Sequence, residues 1–226
     1  MRVLAIDTAL GVCAAAVYES EQGRILAEQS IPMVRGHAET LMPLIAQVMN
    51  AAGTRFTELD RIAVTVGPGS FTGLRVGVSA ARGIALAASK PVVGLSTLSA
   101  YAAPHIAVDA ASPLVAAIDA RHSQVYMQVF GAGHALGQPV VAGLQDAVRA
   151  AIPGPARIVG SAAHMIAAAW PSDQPAPALV EEQAAPGIDW VARLGVTATV
   201  GQAMPKPLYL RAPDARPQDA AHLPRR

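Results

Sequence analysis

The chain has one cysteine, Cys13, among 226 residues. A single thiol forms no internal disulfide and supports no Cys-rich metal site. Charge is also scarce. Charged residues make up 15% of the chain, and 17 Lys plus Arg against 16 Asp plus Glu leave a net charge of +1. Without clustered cations there is no broad field with which to grip nucleic acid unaided. Long apolar runs are missing as well. The N-terminus meets Asp7 after the apolar residues 3–6, which is too short a run for a signal-peptide core. The longest stretch without formal charge, 122–145, carries Gln124, Gln128, His134, Gln138 and four glycines, so it is no membrane span. These absences point to a cytoplasmic protein in a reducing compartment, with no membrane partner.

What is present is a chain that is 52% hydrophobic, large enough for one domain or two small ones. Residues 3–6, 12–18 and 24–31 read as three strands joined by turns at Gly11 and Gly23, and connections this short imply antiparallel hairpins. Ala38, Leu41, Met42, Ile45, Val48, Met49 and Ala52 fall on one face of a helix over about 36–52. A strand over 61–66 and a Gly-Pro-Gly-Ser turn lead to a second helix, about 71–88, with Ser70 as N-cap. A strand over 91–95 follows, with Ser96 capping a third helix. Leu114–Ile118 then ends in Asp119, as Val3–Ile6 ends in Asp7, and 124–130 is again a following strand. The repeated strand–Asp–turn–strand unit predicts two lobes of related design. We expect them over 1–108 and 109–185, with a helix in 186–211 (about 188–203) returning to the first lobe and 212–226 as a tail. Helices are also expected over 144–151 and 162–169.

The segment Val66-Gly67-Pro68-Gly69-Ser70-Phe71-Thr72-Gly73-Leu74-Arg75 is the most distinctive. It is either a tight strand-to-helix turn or a loop aiming backbone N–H groups at a phosphate. A P-loop fails because Leu74 follows Gly73, and a dinucleotide fingerprint fails at Thr72. Gly73, Gly77 and Ala81 form a stripe with almost no side chains. It packs either on the chain's own sheet or against a helix of a second subunit. Asp7 and Asp119 at the two strand ends either cap turns or hold a magnesium ion over phosphates in a cleft. His37 has Leu41 where a helical metal pair needs a second histidine, so it reads as a surface or interface residue and no metal ligand is assigned. Cys13 reads as a small core residue.

Ala5-Ile6-Asp7-Thr8-Ala9, the segment 66–77, Ala116-Ala117-Ile118-Asp119-Ala120-Arg121 and Pro207-Leu208-Tyr209-Leu210-Arg211 together resemble the TsaB (YeaZ) family, in order and over nearly the whole chain. The resemblance implies an α/β fold: the two-lobed, ribonuclease-H-like architecture of the actin, sugar-kinase and Hsp70 ATPases. It implies a supporting role in adding threonylcarbamoyl to the adenosine beside the tRNA anticodon. The chemistry belongs to a partner, TsaD, assisted by a small ATPase, TsaE, and tRNA is met through the complex. It further implies docking through the first two helices, on His37, Leu41, Ile45, Gly73, Leu74, Gly77, Val78 and Ala81, with a homodimer as the alternative when TsaD is absent. An ATP–magnesium site is implied only in vestigial form, at Asp7, Thr8 and Asp119. Thr8 and Ala9 stand where the superfold has glycine, Leu41 stands where TsaD has histidine, and Val159-Gly160-Ser161-Ala162 offers one glycine where two are expected. These erosions suggest no catalytic residues and no tightly bound cofactor. The competing expectation is a small-molecule kinase or ATPase of the same superfold. Nothing in the residues supports the peptidase activity that older labels attach to the family.

Overall fold

The computed structural model describes residues 1–152 and 156–211, so the expected tail lies outside the described residues. In chain order the elements are β1 (Arg2–Asp7), β2 (Val12–Glu19), β3 (Arg24–Pro32), α1 (His37–Ala51), β4 (Arg61–Gly67), α2 (Phe71–Ala88), β5 (Val92–Ser96) and α3 (Thr97–Val108). There follow β6 (Leu114–Asp119), β7 (Gln124–Gly131), β8 (His134–Ala135), β9 (Val140–Gly143), α4 (Leu144–Ala151), β10 (Arg157–Val159), α5 (Ala163–Ala168), β11 (Leu179–Glu181) and α6 (Ile188–Thr197).

Two mixed sheets form, with the same internal logic. The first runs β3-β2-β1-β4-β5, antiparallel on the hairpin side of β1 and parallel on the other. The second runs β11-β10-β6-β7-β8, with β9 also paired to β7, and is antiparallel and parallel on the corresponding sides of β6. In each, the opening strand is central and ends in an acid. This is the two-lobed design that the repeated motif predicts.

The central strands are apolar throughout because both of their faces are covered. Leu4 and Ile6 point into a core with Leu41, Ile45, Val48 and Val78 of α1 and α2. Val3 and Ala5 point the other way, to Ile188, Val191 and Ala192 of α6. α3 is apolar nearly all round because it is enclosed: Ala100 joins the α6 core, while Leu98, Tyr101 and Ala102 pack on Leu114, Ala116 and Ile118 of the second sheet. The other face of that sheet packs against α4 and α5. Among the described residues no helix is long and apolar enough to cross a membrane.

α6 ends at Thr197, six residues before the sequence pattern suggests. The Arg61 guanidinium stops it, donating to the carbonyls of Gly195 (2.8 Å), Val196 (3.2 Å) and Ala198 (2.6 Å). These are the end-of-helix acceptors that have no partner within the helix. The β-branched run around Val196, Thr197, Thr199 and Val200 also disfavours a further turn.

The expected docking residues need correction. Leu41, Ile45, Leu74, Val78 and Ala81 are at most 2% exposed and belong to the lobe's own core. Gly73 and Gly77 are buried too. A Cβ at Gly73 would overlap the Thr8 carbonyl, and one at Gly77 would overlap the Thr8 hydroxyl. The stripe therefore faces inward, onto the loop after β1. Helical periodicity identifies an apolar or small face without saying what covers it. Gly77→Leu is accordingly expected to overpack the lobe by about 1–3 kcal/mol, lowering Tm by about 2–10 °C in a thermal melt of the purified chain. An unchanged Tm would mean that the stripe is open.

Candidate functional site

Between the lobes lies an open cleft of about 600 Å³. The first lobe contributes Leu10, His37 and the turn Pro68–Thr72; the second contributes Asp119, Ala120, Arg121, Tyr126 and Ser161. Leu208–Arg211 completes its lining.

The turn into α2 is fixed by direct contact with the loop after β1. The Ser70 N–H donates to the Ala9 carbonyl (2.7 Å), and the Thr8 hydroxyl donates to the Gly73 carbonyl (2.7 Å). A side chain at Gly69 would overlap the Ala9 carbonyl. Gly67 has φ +117°, and a Cβ there would press on the Leu208 carbonyl at 2.8 Å. Only glycine accommodates that conformation and that approach. Ser70 caps the helix by accepting from the Gly73 N–H (3.4 Å).

The two acids differ in environment. Asp7 is fully buried and Thr8 is 1% exposed. Asp7 Oδ1 accepts from the Thr65 hydroxyl (2.5 Å) and the Ala9 N–H (2.9 Å), while its Oδ2 is buried without a partner. Burial pushes the Asp7 carboxyl above its ordinary range, against the downward pull of the Thr65 and Ala9 hydrogen bonds and of nearby His37. Asp119 is exposed and lines the cleft, accepting the Arg121 N–H on Oδ1 (2.7 Å). The set Asp7, Thr8 and Asp119 is therefore not brought together around one ion: Asp7 and Thr8 are buried, and only Asp119 lines the cleft. These residues do not fit a magnesium–nucleotide complex held between the two strand ends. Among the described residues no three His, Cys, Asp or Glu side chains converge to hold a metal ion.

His37 also departs from expectation. It is 8% exposed, and its Nε2 lies 3.2 Å from the Leu10 carbonyl. With Nε2 protonated it donates there, tying the start of α1 to the loop after β1. Cys13 is a buried core residue of β2, as expected; burial, with Asp7 nearby, pushes its thiol up to about 11. It is no thiolate at neutral pH.

Beyond Asp119 the chain runs through Arg121, His122 and Ser123, all left-handed (φ +64°, +52°, +56°) and all exposed. That conformation costs an L-residue about 1–2 kcal/mol each. The Gln124 N–H closes the turn on the Arg121 carbonyl at 3.0 Å.

A cluster that the sequence reading did not assign sits at the cleft mouth. The rings of Phe71 and Tyr209 lie 5.0 Å apart, and the Arg75 guanidinium lies 3.8 Å over Phe71 while Nε donates to the Tyr209 hydroxyl (3.0 Å). The C-terminal segment carries Tyr209 there through the Leu208 N–H, which donates to the Val66 carbonyl (2.6 Å), and then reaches the second lobe, where Arg211 donates to the Ala120 carbonyl (3.5 Å). The available signal was the helical spacing of Phe71 and Arg75, four residues apart on one face.

Comparison with known proteins gives a consistent result. Residues 24–181 match the family model described as TsaD, tRNA N6-adenosine threonylcarbamoyltransferase. The tRNA threonylcarbamoyladenosine biosynthesis protein TsaB of Escherichia coli is 38% identical over 126 residues, 56% of this chain and 53% of that protein. Its Haemophilus influenzae counterpart is 37% identical over 129 residues. The chain thus spans about half the length of these curated relatives. An uncharacterized protein of Mycobacterium bovis is 32% identical over 217 residues, covering 95% of this chain and 94% of that one. The solved structure of YeaZ from Pseudomonas aeruginosa superposes with a TM-score of 0.72 at 27% identity, covering 92% of this chain and 99% of that one.

The buried Asp7 carboxyl gives a pH signature. The folded chain holds this proton to higher pH than the unfolded chain, whose Asp titrates at about 3.9. Stability tied to the protonated carboxyl is fully present below that pH and is lost as pH rises toward the raised folded value. Asp7→Asn cannot ionise, so its Tm minus that of the unsubstituted chain is expected to grow as pH rises above about 4, measured by calorimetry. A flat or falling difference would mean that the fold stabilises the ion.

Proposed function

Because this chain belongs to the TsaD/TsaB family, on the TsaB (YeaZ) side of it, we propose that it is a non-catalytic subunit in tRNA threonylcarbamoyladenosine biosynthesis, acting by binding and supporting TsaD. The observation that carries this reading is the burial of Asp7 at the end of β1. In a phosphotransferase of this architecture both strand-end acids must face the cleft, because a divalent cation over phosphates needs oxygen ligands that it can reach. Here one of them, Asp7, is fully buried on Thr65 and the Ala9 N–H and is out of the cleft. The subunit would then contribute surface, with the transfer chemistry in TsaD and assistance from TsaE.

The docking surface would be the outer faces of α1 and α2. Met42 is 48% exposed and Leu86 is 76% exposed. On α2 the small residues Ser79, Gly83 and Ala87 follow one another at four-residue spacing on the exposed side. A Cβ added at Gly83 meets nothing within 4 Å, so a partner helix has room to approach the backbone there. A second copy of this chain could use the same faces when TsaD is absent.

The open position of Asp119 in a 600 Å³ cleft favours one other reading, a small-molecule kinase. Magnesium-dependent ATP turnover by the purified chain would support that reading over the subunit.

The subunit reading is tested by co-expression with TsaD. The two are expected to co-purify, and Gly83→Leu is expected to abolish this. Its Tm should be held or raised, since leaving glycine in an exposed helix gains about 1 kcal/mol. Failure of the unsubstituted chain to co-purify would overturn the reading, and undiminished binding by Gly83→Leu would move the docking surface elsewhere.

A further inference from the structure

The subunit reading leaves the cluster at the cleft mouth without a task. The chain has nine aromatic residues, and two of them, Phe71 and Tyr209, stand 36% and 41% exposed side by side. Arg75 holds this pair in place by stacking on one ring and donating to the hydroxyl of the other. Across the same cleft stand Arg121, presented by the left-handed turn, and Arg211, on the C-terminal segment. Among the described residues no carboxylate lies within ion-pair distance of Arg75 or Arg121. The acid on the cleft wall, Asp119, is engaged by the Arg121 N–H.

Partly exposed aromatic rings beside guanidinium groups are what an unpaired nucleobase with its flanking phosphates requires. Bases stack on aromatic faces whatever their identity, and arginine carries the backbone charge. The three arginines come from three different elements, α2, the β6–β7 turn and the C-terminal segment, so they line a path and do not converge on a single phosphate. A cleft of about 600 Å³ takes a flipped-out nucleotide but not a duplex. We propose that this cleft mouth binds unpaired RNA, with one base stacking on Phe71 and Tyr209 and adjacent phosphates held by Arg121 and Arg211. The proposal rests on the tRNA-modification reading and assigns this chain its own contact with the substrate. With a net charge of +1, such a contact is weak in the free chain and adds to whatever the partner supplies.

The test uses the full chain without TsaD, so that it fails or succeeds independently of docking. A fluorescein-labelled RNA hairpin with an anticodon-type loop is titrated by anisotropy at low salt, beside a loopless duplex of the same stem and beside ATP as competitor. The loop RNA is expected to bind, with log K falling against log salt at a slope of about −1.4 for two phosphates. Arg121→Gln and Arg211→Gln should each flatten that slope by about 0.7. Tyr209→Ala should weaken binding by about 5-fold to 150-fold at unchanged slope. Tyr209→Phe keeps the ring but loses the Arg75 hydrogen bond, and it should retain most of the affinity; this separates stacking from detachment of the segment. Equal binding of the duplex, displacement by equimolar ATP, indifference to all four substitutions, or no saturable binding at low salt would each overturn the proposal. Co-purification of the same variants with TsaD reports on the subunit reading alone.

Discussion

The organisation of the first lobe depends on one backbone-to-backbone contact, the close approach of the Gly69–Gly77 segment to residues 8 and 9. Three glycines are needed because three separate Cβ atoms would collide with Thr8 or Ala9. The approach is locked by two 2.7 Å hydrogen bonds, one from Ser70 and one from Thr8. It seats α2 against β1 and β4, which places Leu74 and Val78 in the core and leaves Phe71 and Arg75 outside. The same contact thus builds the core and sets Phe71 at the cleft.

The two lobes share a chain path and differ in how they surround its acid. Asp7 and Asp119 occupy the same place in sheets of the same order, each at the end of the central strand and each accepting an N–H two residues on. One is fully buried and accepts from the Thr65 hydroxyl of β4, and the other is exposed on the cleft wall. Symmetry of chain path did not bring symmetry of environment. What the acids can do follows from what surrounds each, not from the strand that carries them.

Much of this was legible from residue patterns. The antiparallel start of each lobe follows from turns too short for a crossover, and both α2 and its Ser70 cap follow from a glycine turn and an apolar period. The return of α6 to the first lobe was expected from the way folds of this design cross back, although its end was not, because the Arg61 side chain that stops it lies far away in sequence. The short strands β8 to β11 carry two to four residues each, too few for alternation to register. At the site the limits were of another kind. Periodicity marked the Gly73, Gly77 and Ala81 face correctly as special and could not say that it faced home. His37 reads as a surface or interface residue because nothing local to it shows the Leu10 carbonyl it meets. The Phe71, Arg75 and Tyr209 group joins residues more than 130 positions apart, and only the fold brings them together.

The return of α6 and of residues 205–209 to the first lobe has a consequence for how the molecule is made. The second lobe is, in chain order, an insertion within the first. When residues 1–96 have left the ribosome, one face of their sheet has α1 and α2, but Val3, Ala5, Ala63 and Val93 on the other face await Ile188, Val191 and Ala192. N-terminal units fold first during synthesis, so this half must wait with an apolar sheet face bare while nearly a hundred further residues are added. Those residues must then fold compactly enough to bring their two ends together, since the span between β5 and α6 is a loop whose closure costs entropy until the second sheet forms. Biogenesis of the first lobe therefore runs through completion of the second, and the nascent chain carries an exposed hydrophobic surface that a chaperone or an early partner would find before the mature protein ever shows it.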